Sequence, residues 1–404
     1  MKKRIFISIH YLEIGGVEIS LIGLLRYLDY SLYDVDLMVY SHQGELMKYI
    51  PKEVNLLPEI PAYAYMERPM KETLQAGQIG TLIGRLIGRM KYEHYLKKTN
   101  KNSSRSIFQY IMNGVEPFLP SLKDLGTYHL AISFLTPHNV VLRKVNALKK
   151  ICWIHTDYSK ISINKDLEYP IWKGFDQIIS ISPEVTNAFL KTFPLLKDKI
   201  IDIENILSPQ FILKRANELS QENIAKEMPQ SSPNSLIFLS IGRFMEAKNF
   251  DNIPSICKHL LALGHSIKWY LIGYGIDEPL IRKRIQEAEM ENHVIILGKK
   301  ENPYPYIQKC DIYVQPSRYE GKSITVREAQ ILHKPVIITN YPTARSQIKH
   351  GIDGYIVPLA NEECAEGIGN FIQNKNLQQE IISYLQSHDY GNENEISKIY
   401  DLIS

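Results

Sequence analysis

The sequence predicts an α/β chain of two doubly wound domains, each a parallel sheet covered by helices. Three observations predict it. A strand, a double glycine, an amphipathic helix and a second strand follow one another within the first 40 residues. The same alternation restarts near residue 236. Several strands are unbroken apolar runs, such as Ile312-Tyr313-Val314 and Val336-Ile337-Ile338, which suits parallel strands buried on both faces. A length of 404 residues fits this count, because domains commonly run to about 150 residues.

The first half opens with a β-rich stretch at 4–10, followed by Gly15-Gly16. Val17, Leu21, Leu24, Leu25 and Leu28 then share one face of a helix, and 35–40 is the next apolar strand. Further strands are expected at 129–134, 150–154, 177–181 and 200–203. Residues 216–235 are polar and hold two prolines, the composition of a linker or exposed loop. In the second half strands are expected at 236–241, 268–272, 294–297, 311–315, 335–338 and 354–357. Helices fill the gaps at 250–263, 279–289, 303–309 and 323–333. The expected domains are 1–206 and 207–385, with a last helix within 386–404 crossing back to the first domain. In such folds ligands bind outside the carboxyl ends of the strands, and a cleft between two domains is the default site.

Residues 60–125 fit no βα unit. Between 83 and 105 there are seven Lys or Arg (85, 89, 91, 97, 98, 101, 105) against one acid, Glu93. Leu82, Leu86, Ile87 and Met90 cluster on one helical face beside Arg85 and Arg89. A basic amphipathic helix of this type can lie on an anionic membrane surface. The alternative is an insertion whose apolar face packs on the domain.

Composition excludes several classes. Hydrophobic residues make up 44% and charged residues 23%, the balance of a soluble protein. A net charge of +3 gives no reason to expect a nucleic-acid partner. Cys152, Cys257, Cys310 and Cys364 are far apart, so neither a disulfide framework nor a zinc site is expected, and a reducing, cytoplasmic compartment fits. The basic start Met1-Lys2-Lys3-Arg4 precedes an apolar stretch too short for a signal peptide, and no run of apolar residues approaches the ~20 that span a membrane. Asp34-Val35-Asp36 has the form of a metal-binding Asp-x-Asp, but it stands at the start of a strand, where a polar strand entry is the better reading.

The informative stretch is Pro316-Ser317-Arg318-Tyr319-Glu320-Gly321-Lys322-Ser323-Ile324-Thr325-Val326-Arg327-Glu328-Ala329. It follows a buried strand and opens a helix. A helix N-terminus exposes unpaired N–H groups and a partial positive charge, which suits a diphosphate. Gly321 lets the backbone approach a ligand closely. Glu320 precedes the turn and Glu328 lies about two helical turns further on, so one carboxylate can face a sugar and the other a ribose. Two more stretches follow strand ends: Gly242-Arg243-Phe244-Met245-Glu246-Ala247-Lys248-Asn249, whose cations can neutralise a leaving group as it gains charge, and Gly273-Tyr274-Gly275.

The Glu pair at this spacing, after Pro-Ser and before a Pro-Val, resembles the retaining glycosyltransferases of family GT4. The resemblance is close from about Gly242 to Pro358 and loose in the first half, and Tyr319-Glu320-Gly321-Lys322 resembles a branch found in bacterial surface-polysaccharide synthesis. It implies the GT-B fold, two facing Rossmann-like domains with an interdomain cleft. It implies catalytic roles for Glu320, Arg243, Lys248 and His155, the last in Cys152-Trp153-Ile154-His155. It implies donor binding by Gly16, Gly273, Gly298, Gly321, Lys322, Ser323, Ile324 and Glu328. Nucleotide sugar is then the donor, a saccharide or lipid-linked saccharide the acceptor, and no metal or other cofactor is expected. The chain departs from the family's pattern at Lys322, where an aromatic residue is usual, and at Asn205-Ile206, where the family has Asn-Gly. A nicotinamide dehydrogenase is a poor rival, since the first loop lacks Gly-x-Gly-x-x-Gly. A sugar-nucleotide epimerase of the same shape and a non-catalytic nucleotide-sugar-binding protein are the other readings.

Overall fold

The computed structural model describes residues 2–100 and 106–403. Lys101 and Arg105 of the basic segment lie outside the described residues. The chain forms two compact units: one runs to Leu207 and resumes at Asn392, the other is Ser208–Gly391.

The first unit is built on β1 (Lys3–Ile9), β2 (Tyr33–Val39), β3 (Asn55–Leu56), β4 (Thr127–Ser133), β5 (Asn146–Ile154), β6 (Gln177–Ser180) and β7 (Ile200–Asp202). All pair in parallel, in the order β3-β2-β1-β4-β5-β6-β7. The second unit is built on β8 (Leu236–Ile241), β9 (Ile267–Ile272), β10 (Val294–Gly298), β11 (Ile312–Gln315), β12 (Val336–Thr339) and β13 (Tyr355–Val357). They too are parallel, in the order β10-β9-β8-β11-β12-β13. In each sheet the chain starts near the middle, builds to one edge, then returns to build the other. The reversal falls between β1 and β4 in one sheet and between β8 and β11 in the other. In open parallel sheets such a reversal is where a crevice forms, because the loops leaving the two strands turn to opposite faces.

The helix Gly16–Tyr27 buries Leu21, Ile22, Leu24 and Leu25. A Cβ on Gly23 would stand 2.0 Å from the Ile206 carbonyl, so only glycine lets this helix touch the chain leaving β7. There Asn205 accepts from Ser20 Oγ through Oδ1 (2.9 Å), and its carbonyl accepts from Asn392 Nδ2 (2.9 Å). The Asn205-Ile206 junction is thus held by side chains where Asn-Gly was the expected pattern. The terminal helix Ile396–Asp401 lies on the first unit: Tyr400 stacks on Tyr33 at 5.0 Å and donates to the Tyr27 carbonyl.

The described residues of 60–125 are mostly helical. Helix Ile79–Thr99 packs on helix Ile107–Val115 along a glycine seam. A Cβ on Gly84 would lie 2.6 Å from the Gly114 carbonyl, and one on Gly88 2.6 Å from Ile111 Cα. Arg85, expected on the surface beside the apolar stripe, instead folds inward. Its guanidinium donates to the carbonyls of Arg68 and Tyr65 and to Thr73 Oγ1, and burial lowers its pKa. The polar stretch 216–235, expected as a loop, contains helix Gln221–Glu227. Ser220 caps it by accepting from the Asn223 N–H, and fully buried Ile224 anchors it. Asp36 is a structural acid: it pairs with Arg4 at 2.9 Å and accepts from Tyr128 Oη at 2.6 Å. The four cysteines are free and buried.

Candidate active site

In the second unit the chain reversal brings two loops together, 242–249 after β8 and 316–323 after β11. Backbone and side chains sew them to each other. The Arg318 N–H donates to the Ala247 carbonyl (2.8 Å), and the Arg318 guanidinium grips Asp251 through two bonds (2.9 and 2.7 Å). Asn249 is buried in a left-handed conformation (φ 61°) and donates to the Pro316 carbonyl (2.8 Å). Asparagine tolerates that conformation better than most residues. The result is a rigid edge from which Lys248 and Glu320 project.

Lys248 Nζ donates to Glu320 Oε1 at 2.5 Å. The same oxygen accepts from Ser317 Oγ (2.6 Å) and, at 3.4 Å, from Gln315 Nε2. The pair is largely shielded from solvent: the side chains are 19% and 10% exposed. Three donors converge on Oε1, which leaves Oε2 as the oxygen that can accept from a ligand hydroxyl. The Lys248 stem runs along Gly242, where a Cβ would sit 3.3 Å from it.

Gly273 and Gly275 shape the neighbouring loop. A Cβ on Gly273 would stand 1.9 Å from the Gly242 carbonyl, and one on Gly275 2.3 Å from the Phe244 carbonyl. The two glycines let the loop after β9 lie directly on the loop after β8. The Phe244 N–H donates to the Tyr274 carbonyl (2.8 Å), and the Gly273 N–H to the Gly298 carbonyl (3.0 Å). This packing sets the Tyr274 ring between two cations, with Lys299 Nζ 5.0 Å and the Arg243 guanidinium 6.0 Å from its centroid. Gly298 turns the chain after β10 with a φ of 73°.

Helix Ile324–Ile331 begins at this edge, with Gly321 and Lys322 half-buried in the loop before it. One expected anion donor is already engaged: the Ser323 N–H donates to Gln347 Oε1 (2.7 Å), whose amide returns a bond to the Ser323 carbonyl. Ser323 makes no side-chain cap, so the Ile324 end of the helix keeps first-turn N–H groups for an anion. Glu328 lies deeper. It is 3% exposed and accepts from Tyr304 Oη at 2.8 Å. Burial raises its pKa to about 7, while the Tyr304 bond and the charge of Arg215 oppose the rise. Arg215, itself buried, stacks near Phe211 and Tyr304. Buried Tyr313 donates to Gln315 Oε1 (2.7 Å), the residue whose amide reaches Glu320.

The remaining candidates belong to the first unit. Gly16 is exposed at the start of its helix. His155 follows β5, 5.0 Å from the Phe134 ring, and neither of its ring nitrogens has a hydrogen-bond partner. Burial pulls its pKa down to about 3, so the imidazole is neutral at neutral pH. Two further histidines were missed from the sequence: His10 directly follows β1, and His138 ends the loop after β4, at the start of helix Asn139–Lys144. His138 Nδ1 meets Ser133 Oγ at 2.7 Å, and burial pulls its pKa down to about 3. His10 meets the Thr136 carbonyl at 3.0 Å and Glu67 at 3.2 Å. Their positions just past apolar strands were the available signal. In the second unit Gln315, Ser317, Asn249, Tyr304 and Arg215 were also missed. Among the described residues no three His, Cys, Asp or Glu gather as a metal set.

Residues 221–388 match the family model for glycosyl transferases group 1. That match lies within the second unit, Ser208–Gly391. The uncharacterized glycosyltransferase MJ1059 of Methanocaldococcus jannaschii is 26% identical over 220 residues, 52% of this chain and 52% of that protein. The chain therefore spans about half the length of this relative. The amylovoran biosynthesis glycosyltransferase AmsK of Erwinia amylovora is 20% identical over 68% of this chain and 75% of its own length. Anabaena Alr3699/HepE, solved in complex with UDP and glucose, superposes with a TM-score of 0.67 at 17% identity, over 99% of this chain and 98% of that one. That likeness shows the fold, which is GT-B. The matched stretch contains both members of the Glu pair and the two cation-bearing loops.

Proposed function

We propose that the protein is a retaining, metal-independent glycosyltransferase of the GT4 type. It moves a sugar from a nucleotide-sugar donor to a saccharide acceptor, lipid-linked, in bacterial surface-polysaccharide synthesis. It works at the inner, cytoplasmic face of the membrane. The observation that carries the reading is the shielded Lys248–Glu320 pair at the chain reversal of the second unit. AmsK, named for amylovoran biosynthesis, supports a polysaccharide product, and HepE, which holds UDP and glucose, supports the donor class.

In this reading Arg243, Lys248 and the first-turn N–H groups at Ile324 receive the diphosphate. These charges stand ready before reaction, so they stabilise the leaving group without reorganising. Glu320 is oriented by Lys248 and Ser317 through Oε1, and its Oε2 accepts from the sugar hydroxyls. Glu328, tethered through Oε1 by Tyr304, has Oε2 for the ribose. Gly273, Gly298 and Gly321 admit the donor backbone-close, Lys322 adds a cation beside the sugar, and Gly16 and neutral His155 keep the donor-binding and catalytic roles that the resemblance implies. The acceptor hydroxyl attacks on the face from which the diphosphate leaves, and the leaving oxygen takes its proton. Retention follows from that front-face course, and no dedicated base is required.

Donor hydrolysis without acceptor tests the reading. UDP-sugar is incubated with the protein and nucleotide release is followed. Slow turnover that Glu320→Ala abolishes is the expected outcome. Binding without turnover in the wild type would favour a non-catalytic binding protein, and a changed sugar stereocentre in recovered donor would favour an epimerase.

A further inference from the structure

Helix Ile79–Thr99 buries its small residues and exposes its large ones. Thr81, Gly84, Gly88 and Tyr92 are its buried positions, and the glycines meet helix Ile107–Val115. Ile79, Ile83, Leu86, Ile87 and Met90 are 59%, 43%, 47%, 37% and 69% exposed. At about 100° of rotation per residue these five fall within one arc, roughly opposite the glycines. Seven of the nineteen exposed large hydrophobics among the described residues lie within 70–90, so the exposure is concentrated rather than scattered. The sequence left open whether the apolar face packs on the domain. Of that face Leu82 is half-buried, while Leu86, Ile87 and Met90 stay exposed, because the glycine seam does the packing.

The rim of the stripe is cationic. On the same rotation Arg89 stands on one flank and Lys91 and Lys98 on the other, with Lys97 in line at the C-terminal end. All four are exposed. Glu93 is the helix's one acid, and it pairs with Arg89 at 3.0 Å. A contiguous apolar stripe rimmed by cations matches a layer that is apolar inside and anionic at its surface. A second copy of the chain docked two-fold on the same stripe would bring these cations towards one another, which disfavours it. No described helix is long and apolar enough to cross a membrane, so the fit is to the interface and not to the bilayer core.

We propose that this face docks the protein on an anionic lipid bilayer, the Ile/Leu/Met stripe in the acyl boundary and the cations among the headgroup phosphates. The proposal deepens the reading of a lipid-linked acceptor, on which it rests for its purpose though not for its chemistry. Sedimentation with vesicles tests it. The full chain is spun with vesicles of phosphatidylglycerol and phosphatidylcholine in equal parts, and with phosphatidylcholine alone. The variants are Ile83→Glu with Met90→Glu, the triple Lys91→Glu, Lys97→Glu, Lys98→Glu, and a control, Leu195→Glu, at an exposed leucine outside this face.

Wild type is expected on the anionic vesicles and largely absent from the neutral ones. The double variant should lose at least about tenfold in partitioning. The triple should lose roughly fivefold per cation, the equivalent of about 1 kcal/mol each. The control should bind as wild type does. Equal partitioning of wild type and the double variant overturns the proposal. So does a failure of wild type to bind, or a dimer that the double variant dissolves with no vesicle binding in either. Affinity for UDP is measured on each protein by calorimetry. Variants that hold UDP but leave the vesicles separate docking from donor binding. Wild type that binds vesicles but no nucleotide would sink the functional reading and leave the docking surface standing.

Discussion

The two sheets share a topology and differ in what they gather at the same place. Each reverses direction once, and each collects polar residues at the carboxyl ends beside that reversal. In the second unit these residues are charged and paired: Lys248 with Glu320, Arg318 with Asp251. In the first they are histidines among aromatic rings, and burial keeps His138 and His155 neutral. Topology therefore decides where a ligand can sit, and side chains decide what charge it carries. In the proposed function the diphosphate belongs with the cations. Neutral imidazoles suit hydroxyls, to which they can donate and from which they can accept.

The largest expected effect breaks or sharpens this contrast directly. Lys248→Ala should cost about 2–4 kcal/mol of transition-state stabilisation, a drop of roughly 30-fold to 10³-fold in kcat/KM. His155→Ala removes a neutral hydrogen-bonding group and should cost about 1 kcal/mol. Steady-state kinetics on both variants checks the ranking, and equal losses would erase the distinction between the two edges.

The next effect concerns pH, and the two units should respond with opposite sign. The Glu328 carboxyl titrates near the ordinary 4.5 when unfolded and at about 7 when folded. Between those values the folded state holds a proton that the unfolded state has lost, so stability falls as pH rises. Glu328→Gln should remove that fall. It should match wild type near pH 4 and exceed it by roughly 3 kcal/mol above pH 7. His155 works the other way. Its folded pKa of about 3 lies below the ordinary 6.5, so stability is lost as pH falls through that window. His155→Asn should flatten the acid limb. Denaturant melts across the pH range check both, and parallel curves for wild type and either variant would contradict the assignment.

A smaller effect tests the loop packing. Gly273→Ala places a methyl 1.9 Å from the Gly242 carbonyl, so the β9 loop must lift off the β8 loop. We expect about 1–3 kcal/mol of destabilisation, with weaker nucleotide binding because Tyr274, Arg243 and Lys299 move together. A melt unchanged from wild type would show that the loops have slack.

Much of the fold was legible because parallel strands are short apolar runs between polar turns. The six strands expected in the second half fall within a residue or two of those observed. The two-residue β3 was missed, having no periodicity to offer, and helix Gln221–Glu227 was missed because its buried anchors, Ile224 and Met228, stand outside it or alone within it. At the site, Glu320, Lys248 and Glu328 stood out because charges at strand ends and helix starts are conspicuous. Their supports did not. Gln315 and Tyr304 reach the carboxylates only through tertiary contacts, and no spacing announces such contacts. Ser323 shows the converse: a helix start marks a donor, but only packing reveals that Gln347 has taken it.

The account turns on Lys248 receiving a diphosphate at the edge it shares with Glu320. Calorimetric titration of the nucleoside diphosphate that a thermal-shift panel selects, into wild type and Lys248→Ala, measures this without requiring an acceptor. The account predicts a loss of about thirtyfold in affinity, near 2 kcal/mol, for the variant. Indistinguishable Kd values for the two proteins would contradict it.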